Sequence, residues 1–142
     1  MATNNGVYQI KNDKFELFEP LGNVRGEIVT LISYDFGYFW YAIAGKGLFR
    51  KDIKTGEEID YKNAPAYFYN VISHEDSTYL YFGTNGGLYQ YNRKTERLTQ
   101  DFFSTFNEEY GYYVGNSTKK KNGTLSCSFY TALIGITEKS AV

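Results

Sequence analysis

Few residues in this chain have the types and spacing that chemistry requires. The single histidine, His74, precedes Glu75 and Asp76. An imidazole beside carboxylates can sense pH or hold a cation, but a lone turn histidine among acids is ordinarily just solvated. Glu108 and Glu109 form a carboxylate pair of the kind glycoside hydrolysis uses. Adjacent residues of one loop do not by themselves make the opposed acid and nucleophile. One cysteine, Cys127, excludes an internal disulfide and a cysteine-based zinc cluster. Gly45-Lys46-Gly47 lacks the long glycine spacing and following helix of a phosphate loop. Asn116-Ser117-Thr118 and Asn122-Gly123-Thr124 satisfy the glycosylation sequon. No catalytic residue, metal site or cofactor is expected.

The composition points elsewhere. Fifteen Lys and Arg balance sixteen Asp and Glu, and the only basic run is Lys119-Lys120-Lys121. A nucleic-acid partner, which needs a basic stripe against phosphates, is not expected. No apolar run reaches the roughly 18 residues of a membrane span. The first residues, Met1 to Gly6, carry no apolar signal-peptide core. Aromatic residues make up 19% of the 142, with 14 Gly and 2 Pro. Rings suit pleated surfaces and glycine suits the tight turns between them. The fold class is read as all-β.

Repetition then supplies the elements. Gly6-Val7-Tyr8-Gln9-Ile10 matches Gly47-Leu48-Phe49-Arg50-Lys51 and Gly87-Leu88-Tyr89-Gln90-Tyr91, at spacings of 41 and 40 residues. Asp35 to Tyr41 aligns with Asp76 to Phe82 at an offset of 41, so one residue is gained between Trp40 and Gly47. Asp52-Ile53-Lys54-Thr55-Gly56 aligns with Asn92-Arg93-Lys94-Thr95-Glu96. A decayed copy lies at Asn122 to Leu125 and Leu133 to Ile136. Four short antiparallel strands per unit, at a period near 40, make a β-propeller blade. The chain divides into a half blade at 3–19, blades at 27–61 and 68–100, and a degenerate partial blade at 110–138. That is about thirteen strands, or roughly three blades. Closed propellers have about four to eight, so the chain reads as a single incomplete propeller fragment over 1–142. Open blade faces of this kind predict self-association.

The pattern of Asp35, Gly37, Trp40, Gly47 and Leu48, with Asp76, Gly83, Thr84, Gly87, Leu88, Tyr89, Tyr91, Asn92 and Thr95, resembles the two-component regulator propeller repeat. Tyr81 stands where that repeat has Trp, Thr78 where it has its first Gly, and Ser126-Cys127-Ser128 departs from the core pattern. The resemblance implies a non-catalytic, periplasmic sensor region of a hybrid histidine kinase that detects oligosaccharides. Its membrane and kinase segments would lie elsewhere in a parent chain.

Within that plan Asp35, Trp40, Gly47, Asp76, Tyr81 and Gly87 are read as framework, with Trp40, Tyr81, Leu48 and Leu88 filling seams between sheets. Loops that join fourth to first and second to third strands share one end. They carry Tyr67, Tyr69, Tyr110 and Tyr112, whose rings can stack on sugars. The opposite end, with Asp35 to Gly37 and Lys54 to Glu57, is mostly charged and reads as solvated turns. Two further functions compete with the sensor. One is a scaffold for a protein partner; the other is a lyase or glycosidase, which the scarcity of histidine disfavours.

Overall fold

A computed structural model describes residues 1–72 and 78–100, together with the backbone of strands 114–119, 124–129 and 133–137. The all-β, antiparallel plan is what the chain adopts. Its strands are β1 (Ala2–Thr3), β2 (Gly6–Lys11), β3 (Lys14–Leu17), β4 (Val29–Asp35), β5 (Tyr38–Ile43), β6 (Gly47–Asp52) and β7 (Glu58–Asp60). There follow β8 (Phe68–Ile72), β9 (Tyr79–Thr84), β10 (Gly87–Asn92), β11 (Arg97–Thr99), β12 (Val114–Lys119), β13 (Thr124–Phe129) and β14 (Leu133–Thr137). They form four separate meander sheets, ordered β1-β2-β3, β4-β5-β6-β7, β11-β10-β9-β8 and β12-β13-β14. Where the sequence suggested two strands at the start there are three, because Ala2 and Thr3 pair with Val7 and Gly6.

The chain forms two compact units, residues 1–68 and 69–142. In the first, the β1–β3 sheet and the β4–β7 sheet share a core of Val7, Leu21, Val24, Val29, Tyr41 and Ile43, with Phe18, Phe39 and Phe49 packed against it. Leu21 and Val24 come from a 3-10 segment, Glu19–Val24, in a stretch the sequence suggested was a loop. Pro20 suits the start of a helix because its missing N–H would have no intrahelical partner there. The segment then drives Leu21 and Val24 into the core. Around this seam the rings meet edge-on or stacked: Phe18 and Phe39 lie 5.1 Å apart, and Tyr41 stacks on Phe49 at 5.4 Å. Such pairs add to area burial.

The other face of β5 and β6 holds Trp40, Ala42, Leu48 and Arg50, all buried. Trp40 stacks on Tyr61 at 5.5 Å. The Arg50 guanidinium lies 4.4 Å over the Tyr38 ring and 5.7 Å from Trp40, so its charge is buried against aromatic faces. In the second unit Leu80, Tyr81, Phe82, Leu88 and Tyr91 are buried, so β9 and β10 are likewise covered on both faces.

The repeat extends to individual hydrogen bonds. Thr84 Oγ1 donates to Gly87 O at 2.7 Å and accepts the Gly86 N–H at 3.0 Å. Thr3 does the same with Gly6 O and the Asn5 N–H, at 2.8 and 3.1 Å. In the middle copy the residue gained lies in the turn itself. Ile43 pairs with Gly47 across the three residues Ala44-Gly45-Lys46, and Ile43 has no hydroxyl to offer. Gly6, Gly47 and Gly87 sit at φ +100°, +104° and +104°, a region L residues avoid. At Gly6 a Cβ would also meet Val24 O at 3.0 Å.

Candidate interaction surface

Strand alternation divides the turns of the first unit between two ends. At one end the turn tips are tied together. The Gly6 N–H donates to Glu27 O at 2.7 Å, the Ala44 N–H to Ile28 O at 2.9 Å and the Gly45 N–H to Ala66 O at 3.0 Å. Lys46 Nζ reaches Glu27 Oε1 at 2.5 Å. Tyr67 emerges at this end, 42% exposed, with Ile28 also exposed.

The opposite end carries the turns at Asn12-Asp13, Phe36-Gly37 and Ile53 to Gly56. Asp52 Oδ1 accepts the N–H groups of Lys54 and Thr55 at 2.7 and 2.8 Å. These bonds, that to Thr55 foremost, hold its carboxyl below the ordinary range. In the second unit Asn92 Oδ1 accepts from Lys94 and Thr95 at 2.9 and 3.1 Å, the same turn at the equivalent position. The neighbouring bond repeats too: the Ile53 N–H donates to Gly37 O at 3.0 Å, and the Arg93 N–H to Thr78 O at 2.9 Å.

This second end departs from the sequence expectation. Tyr34 and Phe36 are each 62% exposed and Ile53 is 44% exposed, gathered around the Gly37 turn. Composition alone suggested charged, solvated turns there. The signal was present in the residue types, since Tyr34, Phe36 and Ile53 are apolar. Which of the flanking rings turn inward depends on the seam, and Phe39 rather than Tyr34 or Phe36 joins it.

The framework residues stand as follows. Trp40 is 1% exposed, and Asp35 and Tyr81 are buried. Gly47 and Gly87 open β6 and β10. Of the candidate ligand residues, Tyr67 is exposed at the tied end, while Tyr69 is half-buried within β8. Tyr67 and Tyr69 fall in different units. Asp76, Tyr110 and Tyr112 lie outside the described residues, as do His74, Glu108 and Glu109.

A partly exposed polar cluster ties the 3-10 segment to the β4–β7 sheet. The Tyr41 hydroxyl donates to Glu58 Oε2. Asn23 Nδ2 donates to the same oxygen at 3.1 Å, and Lys51 Nζ to Asn23 Oδ1 at 3.4 Å. Burial, followed by the bond to Glu58, pushes the Tyr41 pKa well above that of a free phenol. Burial alone raises Tyr89. Among the described residues no group of three His, Cys, Asp or Glu side chains converges to hold a metal.

No family model matches the chain, and no curated protein matches it. Among solved structures, the chain is similar to the crystal structure of the WD40 beta propeller domain of Doa1, at a TM-score of 0.67 and 13% identity. The match covers 94% of this chain and 44% of that one, so the chain spans less than half the length of the propeller it matches. At that identity the likeness is one of fold. The chain is built of propeller-type sheets.

Proposed function

We propose that the chain is a non-catalytic propeller scaffold that binds a protein partner through the apolar tips at Tyr34, Phe36 and Ile53. The observation that carries the reading is their exposure beside the Gly37 turn, while Asp35, Trp40, Leu48, Thr84, Leu88 and Tyr91 of the repeat motif are buried. Apolar side chains clustered on firmly hydrogen-bonded turns make an anchor that loses little entropy on binding. The fold shared with a WD40 propeller favours the same class of role.

The test is selection from a peptide display library, with the wild-type chain as bait and the Phe36→Ser/Ile53→Ser double variant as counter-bait. The expected result is a set of peptides that bind the wild type and lose roughly 10-fold or more in affinity for the variant, the loss of one good apolar anchor. Equal binding to both, or no enrichment, would overturn the reading.

A second reading rests on the repeat sequence and on Tyr67. In it the chain is the periplasmic sensor part of a hybrid two-component regulator, and its tied end stacks on an oligosaccharide. Exposure of the Tyr67 ring favours it. Titration with an oligosaccharide panel should then quench tyrosine fluorescence in the wild type and not in Tyr67→Ala. A silent panel would remove this reading and leave the first untouched.

A further inference from the structure

Two loops of the first unit close a hairpin in two residues. Lys11 pairs with Lys14 around Asn12-Asp13, and Asp35 pairs with Tyr38 around Phe36-Gly37. In both, the two central residues have positive φ: +51° and +58° in the first loop, +43° and +91° in the second. Positive φ at both positions is the mark of a type I′ turn, whose twist matches the strands it joins. That backbone suits Asn, Asp and Gly. Phe36 is the exception, because its Cβ crowds the following carbonyl and its side chain has no polar group to bond locally in return. Among the described residues four besides glycine have positive φ, and Phe36 is the one aromatic residue of the four.

The repeat does not ask for a ring at this place. At the offset of 41, Phe36 aligns with Ser77 and Tyr34 with Glu75, while Ile53 aligns with Arg93. The three apolar tips of one copy are polar residues in the next. The framework behaves differently: Trp40 and Leu48 have Tyr81 and Leu88 as counterparts, and all four are buried. At 62% exposure, burial of the Phe36 ring recovers little of the backbone cost. The turn itself is firmly held. Asp35 at its base is buried, and the Ile53 N–H donates to Gly37 O at 3.0 Å. No heavy atom lies within 4 Å of where a Cβ on Gly37 would stand, so the turn projects into open space.

We propose that Phe36 is a specificity-determining anchor for the protein partner, and that the fold accepts a less stable turn in order to present it. The inference rests on the partner reading above and adds a trade to it: the side chain that gives affinity lowers stability. Strained backbone persists where the surrounding structure over-determines it, and here the neighbouring strands do so. A ring on such a turn is oriented before the partner arrives, so little backbone freedom is lost on binding.

The experiment compares Phe36→Asn with Phe36→Ser, Tyr34→Ser and Ile53→Ser in thermal melting of the intact chain. The same variants are titrated with a peptide display-selected on the wild type. Asn and Ser both remove the ring, but only Asn relieves a left-handed backbone. The expected results are a melting temperature roughly 3 °C higher in Phe36→Asn, no rise in Phe36→Ser, and affinity about tenfold lower in both. A Phe36→Asn variant that melts at or below the wild type would overturn the inference, as would an equal rise in Phe36→Ser. Normal binding by Phe36→Asn, with affinity lost in Tyr34→Ser and Ile53→Ser, would overturn it and leave the wider reading standing. Normal binding by all four variants, or no selected peptide, would remove both.

Discussion

At the residue scale, burial separates side chains that hold the sheets from those available to a partner. Trp40, buried and stacked on Tyr61, belongs to the first group. Trp40→Ala should cost about 3–5 kcal/mol in urea denaturation, the range for emptying a large aromatic site. Phe36→Ser, at an exposed position, should change stability by no more than about 0.5 kcal/mol in the same measurement. Tyr41 adds a pH dependence. Its folded pKa lies above the unfolded value of about 10, so its contribution to stability is complete below that pH. As the pH rises past 10 the unfolded chain ionises first, and stability falls. Tyr41→Phe should flatten this alkaline slope while costing about 1 kcal/mol at neutral pH for the lost hydrogen bond. Chemical denaturation between pH 7 and 11 reads both effects.

At the element scale, the hairpins owe their form to a few turn residues repeated about every 40 positions. Thr84→Val removes a hydroxyl that both donates and accepts within its turn, and should cost about 1–2 kcal/mol in thermal unfolding. Asp52→Asn should leave its turn intact, because Asn92 makes the same pair of bonds in the next copy. Asp52→Ala should lower the melting temperature. These features were legible in the sequence because glycine, threonine and Asx residues act locally, on the two or three positions that follow them. The gained residue between Trp40 and Gly47 was legible too, and it is the third residue of the Ala44–Lys46 turn. The strand of Ala2 and Thr3 was not. Two residues give no alternation to read, and the strand exists only by pairing with β2. The 3-10 segment was missed for a related reason: it is too short to show a helical period. Pro20 with Leu21 and Val24, three apart, was the signal available.

At the scale of the whole molecule, the propeller-type fold was legible from the period alone. The candidate surface was not. Periodicity says that one face of each strand is apolar but not which rings find a partner sheet. Phe39 meets the seam and Tyr34 does not, although both are aromatic residues of one hairpin. Likewise Ile10 and Tyr91 hold equivalent places in the repeat, one exposed and one buried.

The central claim is that the repeat motif is framework and that recognition belongs to the exposed apolar tips. It is tested most directly by measuring unfolding midpoint and peptide affinity together, with a display-selected peptide, for Trp40→Phe, Tyr81→Phe, Tyr34→Ser and Phe36→Ser. The account predicts that the first two lower the midpoint and leave affinity within about twofold, while the last two keep the midpoint and lose affinity about tenfold. Loss of affinity at an unchanged midpoint in Trp40→Phe or Tyr81→Phe, with Tyr34→Ser and Phe36→Ser binding normally, would contradict it.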